Sequence, residues 1–152
     1  MRKLTLIGLF FISIHCFAQE NAASRWADSV FKTLSRDEQI AQLMVVRLSE
    51  KTATGYLYYD SLVMELVKKY NVGGVCLFQG GPVLQARTIN KLQAAAKTPI
   101  IMCIDGEWGL GMRYDSILPL PRQMMLGAMQ DPRIMYQYGK IVGNLCKRAG
   151  IQ

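Results

Sequence analysis

Residues 99–113 read PIIMCIDGEWGLGMR, and this stretch decides the fold class. An apolar run over residues 100–104 ends abruptly at Asp105, and Glu107, three glycines and Arg113 follow. A continuous apolar run of this kind is typical of a strand buried on both faces, as in a parallel sheet. Because α/β folds place their active sites where such strands end, Asp105 and the loop after it are the candidate functional region.

Short apolar runs alternate with helical patterns along the rest of the chain. The runs at residues 43–46 and 75–78 predict two further strands, and the polar, tyrosine-containing segment 49–59 is interpreted as a loop. This alternation predicts an α/β fold with a parallel sheet. Helices are predicted over residues 22–34, from the Ser35-x-x-Glu38 capping box onward, and over residues 60–70, 83–97 and 131–148.

The number of strands is smaller than a closed barrel requires. Three strands, with residues 151–152 as the start of a fourth, fall short of the eight strands of a (β/α)₈ barrel. The chain is therefore either a small open sheet or a fragment of a larger fold. Its stop directly after a helix end favours the fragment.

The first 18 residues have the pattern of a secretory signal peptide. Arg2 and Lys3 precede an apolar stretch over residues 4–17, and small residues at Cys16 and Ala18 suit cleavage before Gln19. The apolar stretch is too short for an ordinary membrane span, although a short N-terminal anchor is the alternative. We therefore expect export to the periplasm or the exterior, no membrane span after cleavage, and a single domain over residues 19–152.

Composition excludes several chemistries. The one histidine, His15, lies in the predicted signal peptide, which excludes a Ser-His-Asp site or a histidine zinc site within residues 19–152. Cys76, Cys103 and Cys146 form no Cys-x-x-Cys pair and are odd in number, so neither a metal site nor a disulfide framework is predicted. The net charge of +7 is spread without interleaved aromatic residues, which argues against nucleic acid. It indicates either an ordinary solvated surface or a mild positive field that favours an anionic polymer such as a cell-wall glycan.

Four residues of the 99–113 stretch are candidates for substrate contact. Asp105 can accept hydrogen bonds from sugar hydroxyls or serve in acid/base chemistry, or it caps the glycine loop. Glu107 and Arg113 are predicted to pair across that loop, either to hold it or to contact a ligand. Trp108 either stacks on the apolar face of a pyranose or packs under the loop. The glycine spacing does not match a dinucleotide-binding loop.

These segments together resemble a known family. Residues 72–78 (VGGVCLF), the 99–113 stretch, Leu120-Pro121 and residues 126–128 (LGA) follow the order seen in family 3 glycoside hydrolases. The similarity is greatest to the bacterial β-N-acetylglucosaminidase branch and extends over residues 35–152. It implies the N-terminal portion of a (β/α)₈ TIM-like barrel, about three βα units, incomplete in this chain.

The resemblance also implies roles for the candidate residues. Asp105 would bind sugar hydroxyls, and Glu107 and Arg113 match the family motif and would support the substrate-binding loop. Trp108 stands where the family usually has glycine, and Leu110 where it often has a basic residue. The Lys-His pair and the nucleophilic Asp of the family follow later, as does the acid/base His of the N-acetylglucosaminidase branch. No catalytic residue is therefore expected within this chain, which alone would be inactive.

The activity implied is hydrolysis of terminal β-linked N-acetylglucosamine, of peptidoglycan origin, by a retaining double displacement without a metal or cofactor. The substrate partner is an oligosaccharide or cell-wall glycan, and some exported members carry an additional C-terminal domain. Three alternatives stay open: a β-glucosidase or β-xylosidase of the same family, a non-catalytic carbohydrate-binding remnant, and an unrelated α/β protein that binds small molecules.

Overall fold

The computed structural model describes residues 21–152, and the predicted signal peptide, residues 1–18, lies outside the described residues. The chain divides into two units between Leu34 and Ser35. In the first unit, helix α1 (Ala22–Thr33) begins where Asn21 Oδ1 accepts a hydrogen bond from Ser24 N–H at 2.8 Å. No helix in residues 21–152 is long and apolar enough to cross a membrane.

The second unit alternates strands and helices, which confirms the predicted α/β class. A strand–helix–strand–helix–strand succession is interrupted by one hairpin after the first strand. The elements are α2 (Arg36–Ala41), β1 (Val45–Arg47), β2 (Ser49–Thr52), β3 (Gly55–Tyr58), α3 (Asp60–Tyr70), β4 (Gly74–Leu77), α4 (Pro82–Ala95), β5 (Ile101–Ile104), a 3₁₀ turn (Leu110–Met112), α5 (Gln123–Gly127) and α6 (Pro132–Arg148).

The three predicted strands form one parallel sheet in the order β1-β4-β5. In its register, Arg47 is opposite Cys76 and Cys76 is opposite Cys103. Beyond β5, Gln152 N–H donates to Met102 O at 3.0 Å, and Met102 N–H donates to Gln152 Oε1 at 2.8 Å. The chain thus returns beside β5 after α6, where the sequence predicts the start of a fourth strand. This arrangement is consistent with part of a (β/α)₈ barrel.

The hydrophobic core lies on one face of this sheet. Val75, Leu77 and Met102 are fully buried on that face, and the core that they share includes Val63 of α3 and Leu92 of α4. On the opposite face, Val45 and Ile101 are 59% and 60% exposed. The prediction that residues 100–104 are buried on both faces is therefore wrong, because α3 and α4 cover only one side of the sheet.

The segment predicted as a loop contains a β-hairpin. Strands β2 and β3 pair antiparallel, with Ser49 opposite Tyr58 and Thr52 opposite Gly55. Gly55 has φ of 152°, and Thr52 Oγ1 donates to its carbonyl at 3.1 Å, which closes the turn. Since β3 is exposed at every residue, the segment lacks the apolar–polar alternation by which a half-buried strand is recognised.

Local capping explains where the helices begin and end. The predicted capping box is present: Ser35 N–H donates to Glu38 Oε2 at 2.7 Å, and Glu38 N–H donates to Ser35 Oγ at 3.3 Å. Asn71 ends α3 in the left-handed conformation, as predicted. At the start of α6, Asp131 accepts a hydrogen bond from Arg133 N–H at 2.9 Å.

Candidate active-site edge of the parallel sheet

Three side chains of different chemistry meet where the parallel strands end. Arg47 is the last residue of β1, Phe78 follows β4, and Asp105 follows β5. Because successive side chains of a strand alternate between faces, all three belong to the face opposite the helices. The carboxyl ends of parallel strands form one edge, which is the position of active sites in folds of this class.

Arg113 fixes the position of Asp105. Arg113 Nε donates to the Asp105 carbonyl at 2.8 Å, and Arg113 Nη2 donates to Asp105 Oδ2. The Asp105 side chain stays 48% exposed, whereas Arg113 is 19% exposed. The carboxylate is thus held in one orientation by a charge-assisted hydrogen bond and remains accessible to an external hydrogen-bond donor.

The predicted pairing of Glu107 with Arg113 is wrong. The 3₁₀ turn over residues 110–112 brings Arg113 back to the end of β5, and its guanidinium is engaged by Asp105. Glu107 is exposed, and its carboxylate forms no ion pair with any residue of the range 21–152. Its carbonyl instead accepts a hydrogen bond from Gln123 Nε2. Glu107 therefore takes no part in the ion pair at the strand end.

Trp108 is half-buried and lies against a cation. The guanidinium carbon of Arg122 is 4.8 Å from the centroid of the Trp108 ring, a cation–π distance. This contact ties the segment before α5 to the glycine loop. The Arg122 guanidinium covers one side of the Trp108 ring. Trp108 therefore packs within the protein and also stays partly exposed.

Two residues of the site escape prediction from the sequence. Phe78 has the guanidinium carbons of Arg47 and Arg113 each 4.9 Å from its ring centroid. Arg47 also pairs with Glu50 of β2, with Nη1 and Oε2 3.3 Å apart. The sequence marks Arg47 only as the first charged residue after an apolar run. It marks Phe78 only as the last apolar residue of the next run. Phe78 therefore links the ends of β1 and β5 through two arginines.

The glycines of the 99–113 stretch shape the loop. Gly109 has φ of 82°, a left-handed conformation that favours glycine. A Cβ on Gly111 would lie 2.6 Å from the backbone nitrogen and Cα of Pro119. Backbone conformation therefore explains Gly109, and close packing explains Gly111. This agrees with the sequence, in which the glycine spacing does not match a dinucleotide-binding loop.

A buried polar network supports the loop after β4. Gln79 N–H donates to Ser49 Oγ at 3.1 Å, Ser49 Oγ donates to Gln79 O at 3.3 Å, and Gln85 Nε2 donates to Gln79 O at 2.6 Å. These bonds connect the base of the hairpin, the end of β4 and the first turns of α4. They fix the backbone next to Phe78.

The geometry limits the chemistry available at this edge. Within the described part of the chain, no group of three or more His, Cys, Asp or Glu side chains could hold a metal ion. Asp105 is an oriented carboxylate that can bind hydroxyls, whereas a retaining glycosidase needs two catalytic groups about 5 Å apart on either side of the bond. The chemistry that Asp105 offers at this edge is that of one oriented, exposed carboxylate.

Comparison with known proteins places this geometry in a family. The family model for the glycosyl hydrolase family 3 N-terminal domain matches residues 35–152, which are the whole second unit. A search of curated proteins gives no match to the chain. The matched range contains the parallel sheet, Asp105 and Arg113. The chain therefore belongs to the glycoside hydrolases of family 3, as a bearer of that family's N-terminal domain.

Proposed function

We propose that this protein is an exported glycosidase that removes terminal β-linked N-acetylglucosamine from cell-wall glycans. In this proposal residues 1–18 are a cleaved signal peptide, and the protein works in the periplasm or outside the cell. The nucleophile and the acid/base of a retaining double displacement come from residues outside the described range. Residues 35–152 supply one wall of the sugar pocket.

Asp105 is the observation that carries the proposal. Its carboxylate is exposed at the strand edge and accepts a hydrogen bond from Arg113 Nη2, while Arg113 Nε donates to the Asp105 backbone carbonyl. An oriented carboxylate accepts hydrogen bonds from vicinal sugar hydroxyls without losing side-chain freedom on binding. The half-buried Trp108 adds an aromatic surface beside the same loop. A mild positive charge over the chain is compatible with an anionic glycan.

The test is hydrolysis by the complete gene product. We expect faster cleavage of a nitrophenyl N-acetyl-β-glucosaminide than of the matching β-glucoside and β-xyloside, with the β-anomer as first product by NMR. Asp105→Asn should lower kcat/KM by roughly 100-fold, since hydrogen bonds to a charged group contribute about 3 kcal/mol. Glu65→Gln, the same carboxylate-to-amide change on the exposed side of α3, should leave kcat/KM unchanged.

Other outcomes identify the alternatives. A preference for the glucoside or xyloside would assign a different sugar within the same family. Sugar binding without cleavage of any of the three substrates would assign a non-catalytic carbohydrate-binding protein. An exported product whose N-terminus is not Gln19, by mass spectrometry, would overturn the proposed signal peptide.

A further inference from the structure

One arginine beside the glycine loop has no acidic partner in the described part of the chain. Arg122 is exposed, and its guanidinium forms no ion pair with any residue of the range 21–152. Arg47 and Arg113, the two arginines that contact Phe78, are each paired with a carboxylate. The positive charge of Arg122 is therefore the one at this loop that the described residues leave uncompensated.

Two consecutive residues join the segment before α5 to the loop. The guanidinium carbon of Arg122 lies 4.8 Å from the centroid of the Trp108 ring. Gln123, the next residue, donates a hydrogen bond from Nε2 to the carbonyl of Glu107. Because Glu107 and Trp108 are also adjacent, these two contacts hold the cation against the half-buried ring. An aromatic surface and an uncompensated positive charge are thus presented together.

This surface lies close to Asp105 along the loop. A turn in which Gly109 N–H donates to the Gly106 carbonyl at 2.9 Å contains Trp108 and directly follows Asp105. Consecutive Cα atoms are 3.8 Å apart, so the Cα atoms of Asp105 and Trp108 are separated by no more than about 11 Å. A ligand made of two linked sugars is long enough to contact both side chains.

The pair of side chains selects a class of sugar. The negative face of an aromatic ring attracts the C–H groups on the apolar side of a pyranose. A planar guanidinium matches a carboxylate through two parallel hydrogen bonds. Resting on the proposed function, in which Asp105 binds the terminal sugar, we propose that Trp108 and Arg122 bind the next sugar of the substrate and that this sugar carries a carboxylate. Trp108 contacts its ring, and Arg122 determines specificity by binding its charge.

The test compares a charged ligand with its uncharged counterpart. The probes are a sulfur-linked, hydrolysis-resistant disaccharide of N-acetylglucosamine and glucuronic acid, and its methyl ester. Fluorine NMR of the complete gene product labelled with 5-fluorotryptophan follows the Trp108 resonance, which is identified by its loss in Trp108→Phe. We expect both ligands to shift this resonance and the acid to bind about tenfold more tightly, the lower end of what hydrogen bonds to charged groups contribute. The preference should decrease between about 0.1 M and about 1 M salt, because salt screens exposed charges.

Three variants separate the role of charge from that of structure. Arg122→Gln should weaken binding of the acid by about tenfold and leave binding of the ester unchanged, because only the acid carries the charge. Arg87→Gln, the same change at an exposed arginine of α4, should alter the affinity of neither ligand. Asp105→Asn should weaken both ligands to the same extent, as expected of a residue that binds the terminal sugar.

The results distinguish failure of this surface from failure of the proposed sugar site. Equal affinities for acid and ester would overturn the acidic-sugar surface, and so would a Trp108 resonance that neither ligand shifts. An equal loss of both ligands in Arg122→Gln would also overturn it, since Arg122 would then only support the loop. Unchanged binding of both ligands by Asp105→Asn would instead contradict the proposed role of Asp105.

Discussion

At the scale of single residues, two Asp–Arg pairs in the described part of the chain have different surroundings. Arg113 binds Asp105 at the strand edge, and Arg133 binds Asp131 at the start of α6. The sequence predicts Asp105 and Arg113 as site residues but assigns Arg113 the wrong partner. Two carboxylates lie in the eight residues before Arg113, and the 3₁₀ turn decides which one it reaches. Sequence spacing does not contain that information.

Arg113→Lys should weaken binding of the proposed substrate sugar, N-acetylglucosamine, by about tenfold, or about 1.4 kcal/mol. Lysine keeps the charge but cannot donate to the Asp105 carbonyl and carboxylate from one planar group. Titration calorimetry or KM measures the effect. Arg133→Lys changes the same residue type in an exposed pair and should leave binding unchanged. Equal binding by both variants would mean that orientation of Asp105 is unimportant.

Tyr114→Phe should be neutral or should raise the free energy of unfolding by up to about 1 kcal/mol. Tyr114 is buried, and its hydroxyl has no hydrogen-bond partner within residues 21–152, so the substitution removes an unsatisfied polar group. Burial raises its pKa to about 12 from an ordinary value of 10. The neutral form therefore favours the fold below pH 10, and that contribution is lost as pH rises to 12.

Denaturant unfolding between pH 9 and pH 12, roughly the window set by the two pKa values, checks this expectation. Over that range Tyr114→Phe should lose less stability than the unmodified chain. Tyr136→Phe, an exposed tyrosine of α6, serves as the control and should follow the unmodified chain. A marked loss of stability in Tyr114→Phe at neutral pH would show that the hydroxyl has a partner.

At the scale of elements, most boundaries follow from local chemistry that the sequence displays. The sequence predicts the helix caps, because each cap involves only residues a few positions apart. The caps are Ser35, the left-handed Asn71 and Asp131. The sequence does not predict the hairpin β2–β3, since the exposed strand β3 has no buried face and therefore no apolar–polar alternation. Close packing between distant segments cannot be predicted from the sequence either. A Cβ on Gly73 would lie 2.0 Å from the Gln42 carbonyl oxygen.

Gly73→Ala should lower the free energy of unfolding by about 1–3 kcal/mol or more, because the added Cβ meets backbone that cannot move aside easily. Gly139→Ala is the matched control within α6. A Cβ there meets nothing within 4 Å, and alanine should raise the free energy of unfolding by about 1 kcal/mol through helix propensity. Urea denaturation measures both changes, and the same sign for the two variants would contradict this packing argument.

At the scale of the whole molecule, the sheet has one packed face and one accessible face. The sequence predicts the parallel sheet and its three strands, because each apolar run is short and bounded by helical segments. It does not predict the difference between the faces, since Ile101 and Met102 are both large and apolar and adjacent in sequence. Which of them is covered depends on the placement of α3 and α4, which are distant along the chain.

Met102→Ala should lower the free energy of unfolding by about 2–5 kcal/mol, because Met102 is fully buried in the core. Ile101→Ala should change it by no more than about 0.5 kcal/mol, because its side chain is mostly exposed. Chemical denaturation of the two variants measures the contrast. An equally large loss for Ile101→Ala would show that a further segment or molecule covers this face.

The strand order has a consequence for synthesis on the ribosome. Each parallel strand adds at the edge that its predecessor leaves open, from β1 to β4 to β5 and then to Gln152. Every pairing therefore joins strands of this sheet that are neighbours in chain order, so no pairing waits for a segment that is synthesised later. The nascent chain can add one strand–helix unit at a time onto a sheet already formed, and domains are known to fold as synthesis proceeds.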